Sequence, residues 1–469
     1  MKIAIIASSF PLSDSAEVTF PATYQLAKAL KQIGHDVIVC TIGGKDQVPL
    51  LETTVCGIPV YSARFDDDAR KTAFDGPPTF NVFSWQMSRA RLAATAFKDI
   101  LQEFQPDIIE SQEFNGLSYF LAAQRQFPLL IRCYGPMGHL MRGGFTGTYP
   151  VADIELVDAM ELAPIALADG VIAICNDIAG RLSQLSGRAL SDWEIIRSPF
   201  QLPKPRTEYG ADPDAPSIFF WGRVDRLKGA DLVLQAFINL AKKYPKLRLN
   251  VAGKETVEEG DTEPFAERMR TKLRELGLID QAKFHGFLPQ EQIERLAAQS
   301  TICVFPSRYE TCCYAALEAI AYGGVVVAAK AGGLPDYHSH GTSAWLVETD
   351  NADALTDGID RVLGDPGMRA HLLANAKQFI TEACDPTTIA KRSVESYETA
   401  IARYKGNQQQ QASSGSSGER AFALFANHLL KALDDQPIWA QYPSAPDTAQ
   451  PSNVSVKQAL KLLLRIGSK

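Results

Sequence analysis

Short runs of β-branched and aliphatic residues alternate with helix-like segments along most of this chain. The first run is "KIAIIAS" (2–8), and residues 19–34 follow it with Leu26, Leu30 and Ile33 at helical spacing. The next run is "HDVIVCTI" (35–42). Strands that alternate with helices are typical of a parallel sheet covered by helices on both faces. The chain is therefore predicted to belong to the α/β class.

This alternation occurs twice, on either side of a proline-rich stretch at 195–217 that has neither helical nor strand periodicity. The second series contains the runs "IFFWG", "LRLNVAG", "KFHGF", "TICVFPS" and "GVVVAA". A chain of 469 residues is also too long for one ordinary core. We therefore predict two doubly wound, Rossmann-like domains, 1–199 and 200–385, that face each other across a cleft bordered by the carboxyl ends of both sheets.

The remaining residues predict a helical C-terminal region. Residues 386–405 read as a long closing helix, and "GNQQQQASSGSSG" (406–418) has the composition of a flexible linker. Residues 419–469 contain two amphipathic stretches, and the second carries basic residues four apart on one stripe, Lys457, Lys461 and Arg465. Such a tail either lies on an anionic membrane surface or packs on its own domain or another subunit.

Composition excludes several classes of protein. With 47 basic and 54 acidic residues, a net charge of −7 argues against a whole-chain nucleic-acid binder. The start "MKIAIIASSF" has too short an apolar run for a signal peptide, and no membrane-spanning run is found. Eight cysteines without any C-x-x-C pair predict neither a disulfide framework nor a metal site. We expect a cytoplasmic protein, with the tail as an optional peripheral contact on the inner membrane face.

The loop "WGRVDRLKG" (221–229) is the first candidate for chemistry. It places Arg223 and Lys228 between a strand end and a helix start, where Gly222 and Gly229 let the backbone come close to a ligand. Basic side chains beside free N–H groups at a helix start bind diphosphate. A solvated basic turn is the alternative interpretation of this loop.

The segment "SRYETCCYAALEA" (307–319) is the second candidate. Glu310 lies on a turn just ahead of a predicted helix, and Glu318 lies about two turns inside that helix. The first acid can hold the hydroxyls of a sugar and the second those of a ribose, while the N–H groups between them face two phosphates. Alternatively, one acid stabilises the helix dipole and the other is simply exposed.

These segments resemble a known family. The stretches "GRVDRLKG", "FHGFLPQEQIERLAAQSTICVFPSRYE", "LEAIAYGGVVVA" and "AGGLPDY" are similar, in order and spacing, to the nucleotide-binding half of retaining glycosyltransferases of family 4 (glycosyl transferases group 1), which have the GT-B fold. The first domain matches more loosely, through "LAKALKQIGHDVIVCT", "PDIIE" and "LIRCYGP". The resemblance implies a hexosyltransferase-type enzyme that moves a sugar from a nucleotide diphosphate sugar to an acceptor hydroxyl and needs no metal or other cofactor.

The resemblance also assigns residues. Arg223 and Lys228 would hold the diphosphate and, with Glu310 on the transferred sugar, form the catalytic group, while Glu318 would bind the ribose. The backbone near Gly286 and Phe287 would bind the base. The donor pocket would be completed by the residues that follow the first glutamate, namely Thr311, Cys312, Cys313 and Tyr314.

Three departures from the family pattern concern the sugar and the acceptor. Thr311, Cys312 and Cys313 replace the family's Gly-Phe-Gly, so we expect glycine-only backbone angles to be lost and the sugar pocket to be altered. Tyr134 stands where the family has its active-site histidine, and serines stand where it has a glycine pair after the first strand. The acceptor-side candidates are therefore Tyr134, Ser9 and His139, and His139 is either a substitute for the missing histidine or a structural residue.

One other function stays open on the sequence alone, and a second is disfavoured. The departures are compatible with a non-catalytic nucleotide-sugar-binding protein that regulates or scaffolds an assembly on the same fold. A nicotinamide-linked oxidoreductase is disfavoured, because the first turn "ASSFPLSDS" contains no G-x-G-x-x-G. The expected partners of the enzyme are a nucleotide sugar and a carbohydrate or lipid-linked acceptor in glycan or glycoconjugate synthesis, and not nucleic acid.

Overall fold

A computed structural model of the chain describes residues 1–13, 21–44, 49–65, 81–143, 149–202, 215–257 and 261–411. These residues form two α/β units, each built on its own sheet. The strands of the first sheet lie within residues 2–195, and those of the second sheet lie within residues 217–347. The structure therefore confirms the predicted α/β class.

The first unit is built on an eight-stranded sheet. Its strands are β1 (Lys2–Ala7), β2 (Asp36–Gly44), β3 (Leu50–Val55), β4 (Ile58–Arg64), β5 (Ile108–Gln112), β6 (Leu129–Cys133), β7 (Gly170–Ala173) and β8 (Trp193–Ile195). Their spatial order is β3-β4-β2-β1-β5-β6-β7-β8, and β3 runs antiparallel to β4. Its helices are α1 (Pro21–Gln32), α2 (Asn81–Ala96), α3 (Lys98–Phe104), α4 (Tyr119–Gln124), α5 (Met137–Arg142), α6 (Val151–Leu167) and α7 (Asn176–Ser186).

The second unit is built on a parallel six-stranded sheet. Its strands are β9 (Ser217–Trp221), β10 (Arg248–Ala252), β11 (Ala282–Phe284), β12 (Ile302–Phe305), β13 (Val326–Ala329) and β14 (Trp345–Val347), in the order β11-β10-β9-β12-β13-β14. The helices that follow these strands are α8 (Ala230–Ala241), α9 (Phe265–Glu275), α10 (Gln290–Gln299), α11 (Tyr314–Ala321), α12 (Leu334–Tyr337), α13 (Ala352–Gly364) and α14 (Pro366–Cys384).

Burial explains why the strands read as continuous apolar runs. Alternate residues of β9 enter different cores: Phe219 and Trp221 pack into one apolar cluster, and Ile218 and Phe220 into another. Because helices cover both faces of a parallel sheet, neither set of side chains has to be polar. The candidate site residues lie in the segments that follow the carboxyl ends of these strands.

The closing helix, α15 (Pro386–Gln411), begins where it was predicted but ends later. It runs through the first part of the expected linker 406–418, because glutamine is a good helix former and an existing helix extends without a new nucleus. The rest of that linker and the tail 419–469 lie outside the described residues. Among the described helices, none combines the length and apolar character that crossing a membrane requires.

The closing helix packs on the first unit rather than the second. Ala390 and Tyr397 join the apolar cluster that contains Leu26 and Leu30 of α1. A buried polar network strengthens this contact. The Nε of Arg132, a residue with 0% exposure, donates to Oε1 of Glu110 at 2.9 Å, and the Tyr397 hydroxyl donates to Oε2 of Glu110 at 2.6 Å.

Candidate active site

The loop after β9 lies directly against the segment after β12. Gly229 has a φ of +76°, and a Cβ built on it would lie 2.2 Å from the carbonyl oxygen of Pro306. Only glycine fits this approach, because any side chain would collide with the backbone of the neighbouring loop. Because β9 and β12 are neighbours in the sheet, the basic loop and the Glu310 turn are brought together.

Arg308 fixes the turn that carries Glu310, a role that the sequence reasoning missed. Its guanidinium donates to both carboxylate oxygens of Asp231, at 2.8 and 2.7 Å, and its backbone N–H donates to the Leu227 carbonyl at 2.8 Å. Two parallel hydrogen bonds hold the plane of the guanidinium and the plane of the carboxylate in a fixed relative orientation. The turn is thereby attached to the start of α8.

Lys228 and Glu310 form an ion pair at the rim of the cleft. The Nζ of Lys228 donates to Oε2 of Glu310, and the two side chains retain 27% and 14% of their surface exposed. Burial by itself would lower the pKa of Lys228, but the neighbouring Glu310 outweighs burial and raises that pKa. Arg223, whose Nε lies 3.1 Å from an oxygen of Asp225, adds a second positive charge close enough to oppose that of Lys228.

The glycine pair of "AGGLPDY" supports the same turn from its other side. A Cβ on Gly332 would lie 2.1 Å from the Glu310 carbonyl oxygen, and one on Gly333 would lie 2.1 Å from the Thr311 carbonyl oxygen. The Gly333 N–H also donates to the Glu310 carbonyl at 2.8 Å. The turn therefore needs these glycines so that the two backbones can lie in contact.

The cysteines of this turn correct one expectation from the sequence. Cys313 has φ 56° and ψ 68°, so a cysteine adopts the left-handed conformation that we expected to require glycine. The expectation that these angles are lost is wrong, because contacts on both sides of the turn hold the backbone in place. Cys312 and Cys313 are both buried, and burial raises the pKa of the Cys313 thiol to about 12.

Glu318 lies on α11, which begins at Tyr314, so it is closer to the helix start than the sequence suggested. Its side chain is partly buried and is hydrogen-bonded by Gln290, whose Nε2 also donates to the Tyr322 hydroxyl at 2.6 Å. Burial raises the pKa of Glu318 to about 7, and the Gln290 hydrogen bond opposes that rise. Its charge reaches Cys313, which also feels Glu310 and Lys228.

Gly286 and Phe287 follow β11 at the same edge of the second sheet. The Gly286 carbonyl accepts a 2.7 Å hydrogen bond from the N–H of Gly253, and a Cβ on Gly253 would lie 1.6 Å from the Gly222 carbonyl oxygen. The turns after β11, β10 and β9 are therefore in contact. The Phe287 side chain is 77% exposed, which leaves its backbone and its ring open to a ligand.

The acceptor-side candidates lie at the carboxyl edge of the first sheet. Ser9 follows β1 and is partly buried, while the Tyr134 hydroxyl after β6 is hydrogen-bonded to Thr23 of α1. His139 lies on α5, and its ring centroid is 4.5 Å from that of Tyr309 in the second unit. Burial lowers the pKa of His139, which favours the neutral form of the ring.

Glu113 is a further residue of this edge that the sequence reasoning missed. Its Oε1 accepts the backbone N–H groups of Tyr134 at 2.7 Å and Gly135 at 2.5 Å, and burial raises its pKa to about 7. A Cβ on Gly135 would lie 3.0 Å from Cγ2 of Thr311, so this clamped loop touches the donor-side turn. An acid immediately after the buried run "IIESQ" is the sequence signal that could have identified it.

Comparison with known proteins assigns the family. The family described as Glycosyl transferases group 1 matches residues 203–379, and the Glycosyl transferase 4-like domain matches residues 21–192. A protein of Methanocaldococcus jannaschii described as an uncharacterized glycosyltransferase is 31% identical over 413 residues, which cover 86% of this chain and 99% of the relative. The chain belongs to the group 1 glycosyl transferases.

This glycosyltransferase also resembles other proteins in sequence or in fold. A D-inositol 3-phosphate glycosyltransferase 1 of Catenulispora acidiphila is 30% identical over 274 residues, which cover 55% of this chain and 63% of that protein. The solved sucrose-phosphate synthase of Thermosynechococcus elongatus superposes with a TM-score of 0.65 at 22% identity, over 86% of this chain and 99% of its own. Anabaena HepE, solved with UDP and glucose, superposes with a TM-score of 0.60 at 18% identity, over 85% and 100%. These structures confirm the predicted GT-B fold.

Proposed function

We propose that this glycosyltransferase moves a sugar from a nucleoside diphosphate sugar to an acceptor hydroxyl, with retention of the anomeric configuration and without a metal ion. The observation that carries the proposal is the ion pair of Lys228 and Glu310, with Arg223 nearby, at the carboxyl edge of the second sheet. A nucleoside diphosphate sugar fits this arrangement, because its diphosphate can pair with the cations and its sugar hydroxyls can bind to the acid beside them.

In the donor complex, Lys228 binds both the diphosphate and Glu310. The ammonium has three N–H donors, so it can keep one hydrogen bond to the carboxylate and give the others to phosphate oxygens. Released in part from Lys228, Glu310 accepts hydrogen bonds from hydroxyls of the transferred sugar. Thr311, Cys312, Cys313 and Tyr314 line this position, and α11 begins here at Tyr314 with free N–H groups that favour the negative phosphates.

The nucleoside lies along the same edge of the sheet. Glu318 accepts from the ribose hydroxyls, and the backbone of Gly286 and Phe287 binds the base. The contacts among the turns after β9, β10 and β11 support this arrangement, because they form one continuous floor from the base position to Arg223.

The transfer breaks the bond between the anomeric carbon and a phosphate oxygen, and its electron pair goes to the diphosphate. The acceptor oxygen forms the new bond on the same face of the sugar, and its proton passes to the departing phosphate oxygen. Arg223 and Lys228 stabilise the charge that develops on the diphosphate, which is usually the largest catalytic contribution. They supply two positive charges in the role that a divalent ion has in other transferases.

In this proposal the acceptor binds to the first unit, beside His139 and the loop that begins at Tyr134. Relatives named D-inositol 3-phosphate glycosyltransferase and a fold neighbour solved with UDP and glucose support a hydroxyl-rich acceptor and a nucleotide sugar donor. The glycan, glycolipid and small-molecule classes of acceptor all offer such hydroxyls.

A panel of UDP-, ADP- and GDP-sugars, scored by thermal stabilisation and then by diphosphate release, identifies the donor. With that donor, Lys228→Met and Arg223→Gln are expected to lower kcat about 100-fold each, because each removes a charge aimed at the leaving group. Arg226→Ala is the matched control, since Arg226 is an exposed arginine of the same loop. It should keep wild-type turnover.

Two results would contradict the proposal. One is unchanged nucleotide binding and turnover in both Lys228→Met and Arg223→Gln. The other is a wild-type protein that binds a nucleotide sugar tightly yet transfers it to no acceptor and no water, which fits the regulatory or scaffold alternative.

A further inference from the structure

Two buried polar atoms on opposite sides of the cleft make no hydrogen bond within the described part of the chain. One is Oε2 of Glu113, a residue of the first unit with 0% exposure, and the other is the hydroxyl of Tyr309, a residue of the second unit with 7% exposure. Removing a polar atom from water without giving it a partner costs free energy, so such atoms in folded proteins are usually matched by a water or a ligand.

The two atoms lie at the same junction between the units. The loop clamped by Glu113 touches Thr311, which is two residues from Tyr309 in the donor-side turn. Burial, followed by charges that include Glu113, raises the pKa of Tyr309, so the two groups are within electrostatic reach of each other. The Tyr309 ring also contacts the ring of His139, four residues after Gly135.

We propose that Glu113 and Tyr309 together hold one hydroxyl group of a bound carbohydrate. The hydroxyl donates to Oε2 of Glu113 and accepts from the phenol of Tyr309, so one group satisfies both unpartnered atoms. This inference rests on the proposed function and extends it, because it places a sugar-binding residue of each unit in a pair that spans the cleft. Since the two residues belong to different units, the hydroxyl enters when the units separate and is enclosed when they meet.

The carbohydrate has two sources, the sugar of the donor and the sugar of the acceptor. Tyr309 immediately precedes Glu310, which favours the transferred sugar, whereas Glu113 holds the acceptor-side loop. Both sources present the same chemistry, and binding measurements separate them.

The test compares two tyrosines of the second unit that reach the first unit. The Tyr337 hydroxyl accepts from the Ser198 N–H at 2.7 Å and donates to the Ile174 carbonyl at 3.1 Å, so Tyr337→Phe removes two hydrogen bonds. Tyr309→Phe removes no hydrogen bond that is made within the described residues. In the free protein we expect Tyr337→Phe to lower the melting temperature by several degrees and Tyr309→Phe to leave it unchanged or to raise it.

Ligand binding gives the second readout, with UDP, UDP-glucose and D-glucose as probes in calorimetric titrations. If the hydroxyl belongs to the transferred sugar, Tyr309→Phe binds UDP-glucose about tenfold more weakly while its affinity for UDP is unchanged. If it belongs to the acceptor, the affinity for UDP-glucose is kept and that for D-glucose in the presence of UDP falls about tenfold. Glu113→Gln should show the same pattern, because its remaining oxygen still accepts both backbone N–H groups while its NH₂ replaces the free acceptor.

The proposed pairing of Glu113 and Tyr309 is contradicted if Tyr309→Phe melts at as low a temperature as Tyr337→Phe, because the Tyr309 hydroxyl would then have a partner within the protein. This result does not depend on which nucleotide binds. The pairing is also overturned if Tyr309→Phe and the wild type bind UDP-glucose and D-glucose equally well. A wild-type protein that binds no nucleotide and no nucleotide sugar contradicts the proposed function instead, and the melting comparison still decides whether the Tyr309 hydroxyl is unpartnered.

Discussion

Replacing Glu318 by glutamine should change how the stability of this enzyme depends on pH. Burial raises the pKa of this carboxyl from an ordinary value of 4.5 to about 7 in the folded protein. Because the unfolded chain loses the proton first, Glu318 costs no stability below about pH 4.5, and its cost grows as the pH rises to about 7 and is constant above that. At ~1.4 kcal/mol for each pKa unit, the full cost is up to about 3 kcal/mol.

Urea unfolding at about pH 5 and pH 8.5 measures this cost. We expect Glu318→Gln to be within about 1 kcal/mol of the wild type at the lower pH and more stable by about 2–3 kcal/mol at the higher pH. Glu348→Gln is the control for the loss of an exposed carboxylate, because the Glu348 side chain is 68% exposed and pairs with Lys330 only at the surface. Exposed ion pairs contribute little to stability, so this variant should stay close to the wild type in the free energy of unfolding. Parallel pH profiles for the wild type and Glu318→Gln would refute the assignment of Glu318 as a carboxyl whose charge is disfavoured by burial.

Three further substitutions test the packing around the site. Tyr397→Phe should lower the free energy of unfolding by about 2 kcal/mol, because it removes a buried hydrogen bond to the Glu110 carboxylate, and urea titration measures the loss. Asp336→Ala should lower it by about 1 kcal/mol in the same titration, because Asp336 accepts the first backbone N–H of α7 across the cleft at 2.8 Å. Gly253→Ala should greatly reduce the yield of folded protein in a solubility assay, since its methyl group would meet a carbonyl oxygen, whereas Gly180→Ala, with nothing within 4 Å, should fold normally.

The fold could be predicted because its signals are local. Runs such as "KIAIIA" become strands buried on both faces, and the stripe with Leu26 and Leu30 becomes the buried face of α1. The proximity of Lys228 and Glu310 could also be predicted, since both residues follow strands of one parallel sheet at its carboxyl edge. In each case the structural feature follows from the alternation of strands and helices, which the sequence shows directly.

Other parts of the site could not be predicted, because they depend on contacts between distant segments. Nothing near Tyr309 in the sequence indicates that its ring meets His139 of the other unit. The left-handed backbone of Cys313 contradicts the expectation that such angles require glycine. It persists here because Gly332 and Gly333 pack against the other side of the turn. A single-sequence rule for glycine describes local strain but not the neighbours that hold a strained residue in place.

The position of the closing helix affects how this protein is made and how it can be recombined. Residues 386–411 follow the second unit in the chain, yet they cover the apolar side of α1 and meet Arg132 in the interior of the first unit. A nascent chain therefore leaves the ribosome with that surface uncovered until nearly all of the described residues have been synthesised. A chimaera that takes its first unit from one transferase and its second from another would have to take this helix from the same parent as the first unit.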